Sequence, residues 1–227
     1  PRAWDWLFQF APPGLRQRTP GDKLHKLAAV LPAGSPEQIY LNLVSHWNSP
    51  ASVVLGSHEP PTVLTDHARL AALPSFIQRM MYLDAVSYLP DDILVKVDRA
   101  AMAVSLESRT PLLDHRVAEF AWQLPLSMKI REGQGKWPLR QVLHRYVPAN
   151  LIERPKTGFS VPIGAWLRGP LINWAEDLLD ETRLREDGYF DPLPIRRKWE
   201  EHLSGRRNWQ YCLWNVLMFQ EWLRKNR

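Results

Sequence analysis

The chain has 227 residues, 45% of them hydrophobic, so it can bury a core as one large domain or two small ones. Its net charge of +5 arises entirely in residues 196–227, so its basic character is local rather than general. The longest apolar runs fall far short of the roughly 20 residues that cross a bilayer, and we expect no leader. Cys212 is the only cysteine, so no disulfide can form within the chain. Together these features favour a cytoplasmic protein whose single thiol is buried and structural.

Helix signals recur along the chain, and strand signals are weak. Ser35 before Pro36, with Gln38 three residues after the cap, predicts a helix over 36–47. The same pattern at Ser75 predicts a helix that ends at Pro90. Further helices are predicted at 22–30, 65–73, 91–108, 115–124, 138–146, 165–180, 195–203 and 208–224. With only a weak alternation at 53–55, the chain is predicted to be mainly α.

Ions are concentrated in the stretch KVDRAAMAVSLESRTPLLD, which begins at Lys96. At about 100° per residue, Lys96, Arg99 and Glu107 share a helical sector with Asp92. Asp98 projects from the other side, where we expect it to need a specific partner. An i,i+4 pair between Asp92 and Lys96, with the other charges solvated, would explain the stripe without a function. The alternative is a wall of charge that faces a ligand.

The end of this segment is harder to explain as a solvated face. Thr110 precedes a proline, so the helix should stop there and present Glu107 and Arg109 at its exit. Asp114 is then predicted to cap the next helix. The predicted buried stripe of that helix is Val117, Phe120, Ala121 and Leu124.

A second candidate lies in the loop ERPKTGFSVP, where Lys156 stands between Pro155 and Gly158. Proline restricts the backbone before the lysine and glycine leaves it flexible after the lysine, so the ammonium can be directed at a ligand and still move. Such a point charge suits a phosphate or a developing oxyanion. A solvated loop lysine is the plainer interpretation.

Three blocks carry a resemblance to a known family. LPDDILVKVDRAAMAVSLESRTPLLDHRVAEFAWQLP at 89–125, GKWPLRQVLHRYVP at 135–148 and RPKTGFSVPIGAWL at 154–167 resemble the C-terminal part of the glutamine-hydrolysing asparagine synthetases. The resemblance implies that residues 1–227 are a single helical domain, a C-terminal fragment of an ATP-pyrophosphatase-type synthetase domain without its nucleotide-binding sheet. It also implies a ligase that adenylates a carboxylate, aspartate by default, and transfers glutamine-derived ammonia to it.

The same resemblance assigns roles to the candidates. It implies that Lys156 is a catalytic lysine that holds phosphate oxygens, and that Glu107 lies nearest the chemistry. Lys96, Asp98, Arg99 and Arg109 match a charged block that binds substrate or phosphate along one wall of the cleft.

The family's other motifs are missing from this sequence. Neither an SGGxDS-like pyrophosphate loop nor an SGEGxDE-like acidic segment occurs, and no cysteine stands in the position of a glutaminase nucleophile. ATP and Mg²⁺ are therefore implied only for a full-length protein, and this part alone is expected to be inactive. The implied partners are upstream ATP-binding and glutaminase parts, a small carboxylate and glutamine, with no nucleic acid, no membrane and no metal ligand here. The acceptor acid and the oligomeric state, a homodimer included, stay open.

An alternative function comes from the C-terminal charge. A non-catalytic helical interaction module would use the basic face formed by Arg196, Arg197, Lys198, Arg206, Arg207, Arg224, Lys225 and Arg227. The tryptophans are expected to lie in the core rather than to stack on bases.

Overall fold

The computed structural model describes residues 31–153 and 161–227, together with Leu24, Leu27 and Ala28. Most of the predicted helix at 22–30 lies outside these residues, although the three that are described there are helical. The described chain forms two compact units. One unit comprises the part up to Thr65 and the part from residue 161 onward, and the other extends from Asp66 to Glu153. The assignment of the whole chain to a single domain stays a prediction.

The structure is mainly α, as predicted. The helices, in chain order, are α1 (Pro36–Val44), α2 (Phe76–Leu83), α3 (Val95–Met102), α4 (His115–Gln123), α5 (Leu126–Lys129), α6 (Trp137–Leu143), α7 (Ala149–Ile152), α8 (Ile163–Leu167), α9 (Ile172–Leu178), α10 (Glu181–Asp187), α11 (Pro192–Leu203) and α12 (Gln210–Asn226). A π-helical segment, Asp84–Leu94, joins α2 to α3, and 3₁₀ turns occupy Pro50–Ser52, His67–Arg69 and Pro111–Leu113. The strands β1 (Ile130–Arg131) and β2 (Gln134–Gly135) form an antiparallel hairpin.

The helix starts that were predicted from a capping residue at Ser35, Ser75 and Asp114 are confirmed. Ser35 accepts a hydrogen bond from the backbone N–H of Gln38 at 3.1 Å, and Ser75 accepts one from Gln78 at 3.2 Å. Asp114 caps α4 by accepting from the N–H of Arg116 at 2.9 Å. Each cap satisfies an amide that has no partner inside its own helix, which is why these residue types mark helix starts.

Several predicted boundaries are wrong. The helix after Ser75 does not end at Pro90, because the π-helical segment contains that proline and leads directly into α3. A proline ring collides with the carbonyl four residues back in an α-helix, and we attribute its acceptance here to the wider π turn. The predicted helix at 165–180 is two helices, broken around Gly169 and its following proline. The predicted helix at 65–73 is only the 3₁₀ turn His67–Arg69.

The shortest elements escaped prediction. The four-residue helices α5 and α7 and the two-residue strands of the hairpin are too short to show a periodicity in sequence. The seven-residue helix α10 begins at a capping aspartate, Asp180, which accepts from the N–H of Arg183 at 3.0 Å. The alternation at 53–55 corresponds to an isolated antiparallel bridge between Val54 and Phe190.

The first unit has a continuous apolar core. Trp199, Ile195, Leu213 and Leu217 are fully or almost fully buried in it, and Trp174, Trp209 and Trp214 pack against it at its margin. The predicted burial of Cys212 is confirmed, since its thiol is 6% exposed and donates to the carbonyl of His46 at 2.9 Å. Burial raises the pKa of that thiol, so it stays protonated as a small apolar group.

Carboxylates lie against most of the basic residues at the C-terminal end. Arg196 pairs with Glu176 at 2.7 Å, Arg197 with Glu201 at 3.6 Å, Arg224 with Glu221 at 2.5 Å, Lys225 with Glu221 at 3.3 Å, and Arg227 with Asp187. The ammonium of Lys198 instead lies 3.5 Å above the Trp209 ring, and burial lowers its pKa. Much of the basic face is therefore neutralised within the unit itself.

The second unit buries little of its apolar surface. Leu83 is its only buried side chain among the described residues. The stripe predicted to be buried on α4 is not, because Val117 is 40% exposed, Phe120 is 62% exposed and Ala121 is also exposed. The periodicity identified an apolar face correctly, but a periodicity carries no information about what covers that face.

No helix within the described ranges is both long and apolar enough to cross a membrane.

Candidate active site

The charged segment begins with an ordinary ion pair. The Lys96 ammonium lies 3.1 Å from the Asp92 carboxylate, with side-chain exposures of 67% and 44%. This is the predicted i,i+4 pair, and at such exposure it contributes about 0–1 kcal/mol to stability. Its geometry leaves the ammonium accessible to a ligand from the solvent side.

Asp98 and Arg99 follow on α3 with their side chains in solvent. Neither makes a hydrogen bond or ion pair with any residue that the structure describes. The specific partner expected for Asp98 is therefore absent from the described part of the chain. These two charges are free to meet a ligand or a segment outside the described residues.

The helix exit differs from the prediction. Helix α3 ends at Met102, six residues before the predicted end, so Glu107 lies beyond the helix and does not continue the stripe of Lys96 and Arg99. Ser105 adopts a left-handed conformation with φ of 58°. The N–H of Leu106 donates to the carbonyl of Ala101 at 3.0 Å, which is the bond that closes a helix in a Schellman motif.

This turn places Glu107 and Arg109 together outside the helix. Their side chains form an ion pair at 2.9 Å, and they are 68% and 81% exposed. An exposed pair of this kind contributes little to stability, so both ions can exchange their partner for a ligand without a large cost. The predicted presentation at the helix exit holds, but through the Ser105 turn rather than through a helix that reaches Ser108.

Ser105 also gives a test of this turn. The left-handed position of a Schellman motif is usually glycine, because a Cβ there is strained. We expect Ser105→Gly to raise the free energy of unfolding by about 0.5–1 kcal/mol, measured by urea denaturation followed by circular dichroism. Ser108→Gly is the control, since Ser108 lacks a positive φ and a glycine there only loosens the unfolded chain. A decrease for Ser105→Gly would contradict the described turn.

Lys156 lies outside the described residues, so its role as a catalytic lysine stays a prediction. The residue at the edge of the described part, Glu153, is held by a cluster that the sequence analysis missed. Its carboxylate lies 2.5 Å from the Arg140 guanidinium and 3.6 Å from His144 Nε2. All three residues are at most 37% exposed at the side chain. The sequence did contain a pointer to this cluster, because Arg140 and His144 belong to the second of the three blocks that resemble the family.

A concave pocket of about 370 Å³ lies in the first unit. Buried Val53, Val216 and Phe190 line it, and His46 and Asn215 stand at its side. None of the predicted site residues lines this pocket. It holds no acid, lysine or arginine, so it lacks the charged groups that the predicted chemistry needs. The candidate site therefore remains the exposed charged segment rather than the pocket.

Potential metal ligands do not cluster in the described chain. No group of three or more His, Cys, Asp or Glu side chains suited to a metal ion occurs in 31–153 or 161–227. The cations Lys96, Arg99 and Arg109 are exposed and of the types that meet phosphate oxygens.

Comparisons with known proteins agree on one family. Residues 1–224 match the model of the asparagine synthase family. A Mycobacterium tuberculosis protein, provisionally named a glutamine-hydrolyzing asparagine synthetase, is 39% identical over 147 residues, which cover 64% of this chain and 22% of that protein. Asparagine synthetase 1 (glutamine-hydrolyzing) of Bacillus subtilis is 33% identical over 148 residues, or 65% of this chain and 23% of the relative. The human glutamine-hydrolyzing asparagine synthetase is 28% identical over 140 residues, covering 53% and 24%.

The matched part of the chain thus spans less than a quarter of the length of these relatives. No solved structure matches the chain.

Proposed function

Because the chain belongs to the asparagine synthase family, we propose that it is the C-terminal helical part of an ATP-dependent amidotransferase of the ATP-pyrophosphatase type. The reaction has two steps. A substrate carboxylate attacks the α-phosphate of ATP, forming an acyl-adenylate and releasing pyrophosphate. Ammonia then attacks the acyl carbon, a C–N bond forms, the bond to AMP breaks and an amide is left. Aspartate is the default acid and asparagine the default product.

This part of the enzyme supplies positive charge to the first step. Lys156 meets phosphate oxygens as charge builds between the α- and β-phosphates, and Arg99 and Arg109 hold oxygens at the wall of the cleft. Lys96 and Asp98 orient the bound acid and nucleotide along the same wall. The proposal draws on the exposure of Lys96, Asp98, Arg99 and Arg109. Of these four side chains, Asp98 and Arg99 have no partner in the described structure.

Glu107 serves the second step. Attacking ammonia must lose a proton as the amide forms, and a carboxylate beside the acyl carbon can accept it. The neighbouring Arg109, 2.9 Å away, holds that carboxylate in place until substrate arrives.

The observation that carries the proposal is the match of residues 1–224 to one family, with all three motif blocks in order. The decisive experiment uses the complete enzyme and measures pyrophosphate release with ATP and each of a panel of carboxylic acids. We expect aspartate to support release, with asparagine formed in equal amount and detected by mass spectrometry. Ammonium salts should replace glutamine.

Two outcomes would change the proposal. Release with a sugar acid or another acid, but not with aspartate, would change the acceptor and keep the reaction class. No release with any acid, in an enzyme that binds ATP, would reject the amidating function.

The interaction-module alternative is not favoured by the contacts. Five of the eight basic side chains on which it relies are paired with carboxylates of the same unit. A binding face that recruits an acidic partner needs unpaired charge.

A further inference from the structure

Part of the basic end of the first unit is left without counter-charge. Lys198, Arg206 and Arg207 have no carboxylate partner among the residues that the structure describes, whereas the other basic side chains of this end are paired. Lys198 belongs to α11, and the two arginines stand in the turn between α11 and α12. The uncompensated charge therefore comes from two neighbouring elements of one unit.

Two of these cations share one indole ring. The Lys198 ammonium lies 3.5 Å from the centroid of the Trp209 ring, and the guanidinium carbon of Arg207 lies 4.0 Å from the same centroid. The separation of the two charges therefore cannot exceed the sum of these distances. A second indole, that of Trp47, lies 5.0 Å from the ammonium, so Lys198 is half-buried among aromatic rings.

Glu201 contacts the same indole but compensates neither cation. Its Oε2 accepts a hydrogen bond from Nε1 of Trp209 at 2.6 Å, and its Oε1 pairs with Arg197 at 3.6 Å. Within the described chain, three cations thus surround this ring and its one carboxylate, so positive charge is in excess there.

The half-buried ammonium of Lys198 shows the effect of this excess. Burial lowers its pKa, and the positive charges of Arg207 and Arg197 lower it further. The opposing effects of Cys212 and Glu201 do not cancel these contributions. The indole faces attract the ammonium, but a ring has no net charge with which to neutralise it. An anion at this place would supply the missing counter-charge.

We propose that Lys198 and Arg207 bind a doubly charged oxyanion, of which a phosphate group is the common biological form. The guanidinium offers a planar pair of N–H donors to two oxygens, and the ammonium meets another oxygen as a point charge. Two N⁺–H···O⁻ bonds of about 2.7–2.9 Å, with the anion between them, can bridge the greatest separation that the shared ring allows. Arg206, exposed in the same turn, adds to the attraction. This site goes beyond the proposed function and does not depend on it.

The test titrates inorganic phosphate into the 227-residue chain, labelled with ¹³C at the Cε atoms of its lysines, and follows those signals by NMR. The Lys198 signal is identified by its loss in Lys198→Arg. We expect this signal to shift and reach a plateau as phosphate is added. The pKa of the Lys198 amine, measured from the same signal, should rise when phosphate is bound, because a nearby anion favours the ammonium.

Lys225 is the internal control, since its ammonium already pairs with Glu221 at 3.3 Å and its signal should stay in place. Sodium chloride at the same ionic strength should produce no plateau. Arg207→Met should raise the Kd for phosphate about tenfold, because it removes a charge-assisted hydrogen bond. Arg224→Met is the matched variant, because Arg224 is paired with Glu221, and it should leave the Kd unchanged.

Equal shifts with chloride and with phosphate would overturn the proposal, since the cations would then attract counter-ions in general. A Kd unchanged by Arg207→Met, or a Lys225 signal that moves as far as that of Lys198, would also overturn it. The titration of the unchanged chain gives its answer even if Arg207→Met does not fold. A variant that combines Arg99→Met with Arg109→Met should still show the Lys198 shift, and loss of the shift there would assign the phosphate to the charged segment instead.

Discussion

Replacing Lys156 with alanine in the complete enzyme should lower the rate of ATP-dependent pyrophosphate release by about 100- to 1,000-fold. Removing one preorganised charge from a developing oxyanion costs that much in enzymes where it has been measured. The loss should be in kcat more than in KM, because the lysine is proposed to act as charge builds on the phosphates. Hydrolysis of glutamine in the same enzyme should continue, since its chemistry occurs at another site.

Lys129→Ala is the control for this variant. Lys129 lies in the second unit, and its ammonium lies 5.1 Å from the Trp122 ring and 3.4 Å from the Trp122 carbonyl, so it already has partners of its own. Pyrophosphate release by Lys129→Ala should match that of the unchanged enzyme. If Lys156→Ala released pyrophosphate at the unchanged rate, the lysine would have no part in adenylation.

The role of Lys156 could not have come from pattern alone. A lysine between proline and glycine is compatible with a solvated loop, and the resemblance to a known family supplied its chemistry. Periodicity did place Lys96 beside Asp92, because an i,i+4 pair is a local property of a helix. Periodicity failed for Glu107, because α3 ends before it at a turn in which Ser105 is left-handed. A serine in the sequence does not indicate that conformation.

Helix starts and helix ends differ in what the sequence records about them. A start is marked by a side chain that bonds the first free amides, as Ser35 and Asp114 do. An end is marked only by breakers, and Pro90 shows that a breaker can be absorbed when the helix widens. The helices after Ser35 and Ser75 accordingly start where predicted and end elsewhere.

Contacts between residues far apart in the chain could not be predicted from the sequence. The Arg140 and Glu153 side chains meet across 13 residues and through the end of α7, a helix too short to predict. The apolar face of α4 was predicted correctly as a face, yet Phe120 is exposed on it. Both cases follow from the same limit, since periodicity describes one element and contact requires two.

His202 provides the second large prediction. Its ring is fully buried beside Trp199, and Nδ1 accepts the backbone N–H of Trp209 at 3.2 Å while Nε2 has no partner. Burial, with a smaller contribution from the charge of Arg168 and a weak opposing one from the Gly164 backbone, lowers its pKa from 6.5 to about 4. The folded chain therefore holds this ring neutral where the unfolded chain would protonate it.

The sign of the pH dependence comes from that difference. Above about pH 6.5 neither state binds the proton at His202, and the folded state keeps its full stability. Between pH 6.5 and about 4 the unfolded state binds more protons, so stability falls as the pH falls. The loss from this group should reach about 3 kcal/mol near pH 4 and stop growing below it.

The measurement compares the chain with His202→Asn by urea denaturation at several pH values, followed by tryptophan fluorescence. Asparagine can accept the Trp209 N–H but has no proton to bind in this range, so the variant should be less stable at pH 7 and lose less on acidification. The two curves should converge by about 3 kcal/mol between pH 7 and 4. His58→Asn is measured beside it as the matched substitution of an exposed histidine. Parallel curves for His202→Asn would mean that the folded chain protonates this ring as readily as the unfolded chain does, which would contradict its lowered pKa.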